Sequence, residues 1–181
     1  MTQSDIIITF YTIVYGLMLL ELASRLHLLI RKRKVIKWHF LPLLASWYVF
    51  LMVLNNWWTL SLHPENTKDF SVLNFIFYGH LLIVTYLITT SVLPDKVEKM
   101  GINLKEFYFE NHIYFWSVSS ISLLMILLRN IYVRIETIPL MISMLVLGIS
   151  ILLTISKKYW IHYFGVSIFI IITIMQIISQ I

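Results

Sequence analysis

The stretch IIITFYTIVYGLMLLELASRLHLLIRKRKVIKWHF, from Ile6 to Phe40, carries the reading of the whole chain. Fifteen residues, Ile6 to Leu20, pass without a charge. Glu21 and Arg25 follow, and the run then breaks into Arg31, Lys32, Arg33, Lys34 and Lys37. An apolar segment of about 20 residues or more that ends in a block of cations is the pattern of a membrane-crossing helix with its basic flank held at the cytoplasmic surface. The remainder of the 181 residues repeats it. Hydrophobic side chains make up 59% of the sequence and charged ones 13%, and the mean hydropathy is +0.83, more apolar surface than a soluble domain can bury.

Six spans are predicted, over residues 6–29, 40–62, 70–93, 107–128, 135–155 and 159–181. Within hydrocarbon each backbone N–H and C=O must find its partner inside the segment, so the spans are helices and the fold class is an all-α polytopic bundle. No ten-residue alternation of a membrane barrel is visible. Ten of the 14 Lys and Arg lie on every second connection, after spans 1, 3 and 5; Lys68, Arg129 and Arg134 lie on the other side, and Arg25 is inside span 1. This bias predicts both termini on the non-cytoplasmic side. Trp38, Phe107, Phe109, Tyr159 and Trp160 fall at the inner interface, and Trp57, Trp58, Phe70 and Tyr132 at the outer one. The first span lacks a basic leader and a small-residue cleavage site, so it reads as a retained helix. The segment between Asp95 and Glu106 reads as an interfacial loop or short surface helix, and no connection is long enough for a second domain.

Polar residues at membrane depth are expensive and normally face protein or water. Glu21, Arg25, His27, Glu110 and His112 form a predicted inner cluster, with His162 at similar depth. Glu21 and Arg25 are four residues apart and can pair. His80 falls near the midplane, and Asn55, Asn56 and Asn74 make an outer approach. Asn74, Tyr78, Thr85 and Thr89 share one face of span 3 and His80 takes the opposite one, which places span 3 in the middle of the bundle. Span 4 offers a stripe of Glu110, Tyr114, Ser117 and Ser120. Ser and Thr stripes ordinarily mark helix packing; a hydrated path or ligand pocket is the alternative.

Catalytic signatures fail in turn. HExxH and GxSxG are absent, and zero cysteines remove thiolate chemistry and Cys-based metal sites. Glu21 to Arg25 has the E-x-x-x-R spacing of intramembrane CAAX-type proteases, but Leu20 stands where the second carboxylate belongs. Neither a cofactor nor a metal is predicted. Mid-span Gly and Pro are scarce, and neither a selectivity filter nor a voltage-sensing Arg ladder is present.

KWHFLPLLASWYVFLMVLNNWW (Lys37 to Trp58), LPD (Leu93 to Asp95) and EFYFENHIYFW (Glu106 to Trp116) together resemble an uncharacterised family of small multipass bacterial inner-membrane proteins, with a W-H-x-L-P-L opening and a Trp-rich second span. The resemblance implies an inner-membrane location and no particular activity. Two functions are therefore expected, neither of them enzymatic. One is an oligomeric channel-like protein for a small ion or protons, using Glu21, Arg25, His80 and Glu110. The other is a sensing or interaction subunit of a signalling or defence system, whose polar residues are structural. Expected partners are further copies of the chain, anionic lipid headgroups at the basic loops and a soluble cytoplasmic protein, but not nucleic acid.

Overall fold

The computed structural model describes residues 3–62, 72–132 and 137–179; the side chains of residues 3–5, 60–62 and 72–75 lie outside the description. Among the described residues six α-helices form the architecture: α1 (Gln3–Arg31), α2 (Phe40–Leu62), α3 (Val72–Ser91), α4 (Leu104–Tyr132), α5 (Thr137–Ile155) and α6 (Tyr159–Ser179). Five of them are long and apolar enough to cross a membrane; in α3 the stretch with described side chains, Ile76–Ser91, is shorter than a span.

The helices pack as a ring in the order α1–α2–α6–α5–α4–α3, which closes through an α3–α1 contact, and α2 also touches α4 across the middle. Contrary to the sequence expectation, α3 belongs to this ring and is not central. Its Ile76, Ile83 and Tyr86 face outward, so its polar residues divide between neighbouring helices while one face stays apolar.

Apolar side chains fill the interior and also cover the outside, while several polar ones are buried. Thr85, Thr89, Ser119, Ser150, His112, His162 and Thr173 are buried, whereas Ile13, Leu17 and Leu20 on α1 and Phe164, Ile171, Met175 and Ile178 on α6 are exposed. Such continuous apolar surface on every side suits contact with lipid. The inward face of α1 is Tyr11, Tyr15, Met18, Leu22 and Leu29, at helical spacing. Close approach of α5 and α6 depends on Gly165, where a Cβ would sit 2.8 Å from Leu153 methyls.

At the basic end the connections are more ordered than a plain loop. A single 3₁₀ turn (Arg33–Val35) leads into β1 (Ile36–Lys37), which pairs in parallel with β2 (Ile102–Asn103). The segment from Asp95 to Glu106 thus holds a strand and the first turn of α4 rather than a surface helix. Helix α4 starts at Leu104, three residues before the predicted span, because the Asn103 side chain accepts the Lys105 N–H at 3.1 Å and caps the helix. His39 precedes α2, and its Nδ1 accepts the Leu41 N–H at 3.4 Å. Partial burial, and secondarily the Lys105 charge, holds that imidazole below its usual pKa.

Candidate binding cavity

A cavity of about 400 Å³ opens within the bundle, in the half away from the basic connections. Helix α2 contributes Tyr48, Met52, Asn55 and Asn56, all on one face by their spacing. Helix α4 adds Ser119, Ser122 and Asn130, α5 adds Pro139 and Ser143, and α6 adds Phe169, Thr173 and Gln176. No carboxylate, amine, guanidinium or imidazole lines it among the described residues.

The floor is aromatic. Tyr48 and Phe169 line the cavity and Trp116 stacks behind them; all three are buried, with ring centroids 5.1 Å (Tyr48–Phe169), 5.4 Å (Trp116–Phe169) and 6.3 Å (Tyr48–Trp116) apart. A polar chain anchors this floor from below. The Trp116 indole N–H donates to the Tyr108 hydroxyl oxygen at 3.0 Å, and that hydroxyl lies 3.0 Å from His162 Nδ1. His162 Nε2 is 2.8 Å from the Ser156 carbonyl, which can only accept, so Nε2 carries the proton and Nδ1 accepts from Tyr108. His162→Phe removes an acceptor and a donor at once. It is expected to lower thermal stability and to restore solvent quenching of Trp116 fluorescence; an unchanged spectrum and melting curve would refute the anchoring role.

Two hydroxyls of the wall are oriented as acceptors. The Ser119 hydroxyl donates to the Phe115 carbonyl and the Thr173 hydroxyl to the Phe169 carbonyl, both at 2.8 Å. Their donors are consumed by their own helices, and their lone pairs remain. Asn55 Oδ1 is buried with no partner. Near the mouth, Asn130 donates to the Ser143 hydroxyl at 3.0 Å, which in turn donates to the Pro139 carbonyl. The enclosed surface is therefore uncharged, apolar in its body, and supplied with hydroxyl acceptors and with the amides of Asn55, Asn56 and Gln176, which both donate and accept.

The residues singled out from the sequence take separate places. Asn55 and Asn56 line the cavity; the Asn74 side chain lies outside the described residues. The mixed-charge inner cluster is divided. Arg25 Nε pairs with Glu21 at 2.7 Å, and the same guanidinium donates to the Thr90 and Leu93 carbonyls at the end of α3. His27 is exposed beside the basic loop, and Glu110 is exposed at the rim of a hollow that it shares with His112. His112 donates through Nδ1 to the Phe109 carbonyl, stacks edge-on to His162 at 5.5 Å, and leaves Nε2 buried without a partner. His80 is half-buried, with an unpartnered Nε2, and does not line the cavity. Arg31, Lys32, Arg33, Lys34 and Lys37 are exposed at the basic end. No group of three or more acidic or His side chains is placed to hold a metal among the described residues.

Sequence reasoning passed over Asn130, Ser143, Thr173 and Gln176 as cavity residues. Their signal was faint, since a lone Ser or Thr in a span reads equally well as packing. The stripe chosen on α4 was offset from the true one: Tyr114 is exposed, whereas Ser119 and Ser122 face inward. Comparison with protein-family models, with curated proteins and with solved structures finds no match.

Proposed function

We propose that this chain is a non-enzymatic, six-span protein of a bacterial inner membrane, with both termini non-cytoplasmic, that binds a small uncharged amphiphile in its cavity. Its basic end then serves as the output surface toward the cell interior, as in a sensing or interaction subunit. The observation that carries this reading is the uncharged cavity of about 400 Å³ itself, with Tyr48 and Phe169 in its wall and Asn55, Ser119 and Thr173 among its polar lining. A buried acceptor left without a donor costs about 1–3 kcal/mol; Asn55 Oδ1 is shut off from the cavity surface as it stands, and a ligand hydroxyl or amide N–H relieves that cost once the amide turns toward the cavity. The volume suits a ligand at the small end of the range for ordinary pockets.

Ion conduction draws less support. Glu21 and Arg25 are paired with each other, and neither they nor His80 nor Glu110 line the cavity.

The test uses a diazirine-bearing medium-chain alcohol on the full chain in nanodiscs, with labelled sites mapped by mass spectrometry. Saturable labelling of α2, α4 and α6, competed by the plain alcohol better than by the alkane, supports the proposal. Asn55→Leu is expected to weaken labelling about tenfold, the worth of one hydrogen bond. The same change is expected to raise stability by about 1 kcal/mol, because it removes a desolvated acceptor. Stability lost together with labelling marks Asn55 as a packing residue and overturns the reading, as does diffuse labelling that never saturates.

A further inference from the structure

At the basic end a second hollow, of about 670 Å³, is lined by His27, Arg31, Lys32, Arg33, Lys34 and Lys99, with Glu98 as its sole carboxylate. Residues 27–34 and 98–99 are far apart in sequence, and three contacts bind their segments together. Lys32 Nζ donates to the Val97 carbonyl, β1 pairs with β2, and Gly101 packs directly on the Val35 carbonyl. The cations are therefore held around a concave surface by backbone geometry. A flexible basic tail would let them spread apart.

Arg33 and Lys34 have exposed side chains with no hydrogen bond or ion pair among the described residues; the salt bridge found there is Glu21–Arg25. Ile30 also lines the hollow and is exposed, next to the outward apolar face of α1 that includes Leu26. Five cations carried on this braced backbone thus border an exposed apolar strip. From this geometry we infer a binding site for an anionic glycerolipid carrying two phosphates, its phosphodiesters held between the Arg31–Lys34 turn and Lys99 and its acyl chains running along Ile30 and Leu26.

The occupant follows from size, charge and position. One phosphate leaves most of the hollow empty and most of the cations unmatched. A soluble polyphosphate uses the cations but not the apolar strip. Basic pockets at the cytoplasmic ends of membrane helices are suited to headgroups of this kind. The site is separate from the uncharged cavity and does not depend on a ligand there.

Native mass spectrometry of the full chain in neutral detergent, with thermal melting, tests the assignment. The probes are diphosphatidylglycerol, phosphatidylglycerol, phosphatidylcholine and inorganic pyrophosphate. The expected result is retention of one diphosphatidylglycerol with an upward melting shift, weaker retention of phosphatidylglycerol, and no effect of phosphatidylcholine. Each cation removed should weaken binding about fivefold, so Arg33→Gln with Lys34→Gln should weaken it about 25-fold. Lys99→Gln should give the single-step loss from the opposite wall. Equal retention of the one- and two-phosphate lipids overturns the inference. So do lipid binding unchanged in both variants and a pyrophosphate shift as large as the lipid's.

Discussion

Arg25→Met is expected to destabilise the bundle by about 2–4 kcal/mol, the largest loss from any single polar side chain in the protein. The reason lies at the end of α3, which stops at Ser91 ahead of Pro94 and leaves its last carbonyls without intrahelical donors. The Ser91 hydroxyl serves the Ile88 carbonyl and the Thr90 hydroxyl serves those of Tyr86 and Leu87, while the Arg25 guanidinium serves those of Thr90 and Leu93. Two charge-assisted bonds are worth about 3–6 kcal/mol in soluble proteins. Unfolded helices in a membrane find substitute partners, which reduces the figure. Glu21 is the lesser partner, because its side chain is 38% exposed while that of Arg25 is 13% exposed. Glu21→Gln is therefore expected to cost under about 1 kcal/mol. Reversible unfolding in mixed micelles measures both. If the two variants were equally destabilised, the ion pair, and not the helix cap, would be the stabilising element.

Gly101→Ala is the second large effect, at about 3 kcal/mol or more. Gly101 has φ +90°, a conformation that side-chain-bearing residues rarely adopt, and an added Cβ would lie 1.9 Å from the Val35 carbonyl oxygen. That contact is with backbone, so no rotamer change relieves it. The alanine must push the 97–103 segment away from the 3₁₀ turn, and the β1–β2 pairing goes with it. Gly16→Ala is the control, since nothing lies within 4 Å of its added Cβ, and in a helix it should be neutral or mildly stabilising. Hydrogen exchange at Ile36 and Ile102 should rise in Gly101→Ala and stay low in Gly16→Ala. Retained protection at both positions in Gly101→Ala would show that the glycine is not what closes the loop.

Helical class and the polarity of the ends were legible because they depend on local quantities. Run length and apolarity delimit a membrane-length helix whatever its neighbours do. The observed helices begin and end within a few residues of the predicted spans, and the discrepancies have local causes such as the Asn103 cap. The candidate site was only half legible. Asn55 and Asn56 stood out because amides are costly in hydrocarbon. Ser119, Thr173 and Gln176 did not, because the same residue types serve packing equally well. His27 and Glu110 were grouped with Arg25 by depth alone, and depth does not say which way a side chain points around the helix.

What the sequence determined by itself is a set of apolar helices long enough for a bilayer, with the cations gathered at one end, since hydrophobic transfer and charge placement are summed along the chain. Only the tertiary structure decided the ring order of the helices, the joining of the 31–37 and 97–103 segments, and the pairing of Arg25 with the end of α3. It also decided which polar groups share one cavity. These depend on the rotation and offset of helices packed against one another. Because the apolar residues face both lipid and interior, no amphipathic pattern in the sequence fixes that rotation; it is set by a few close contacts such as Gly165 on Leu153 and Ser120 on Ser150.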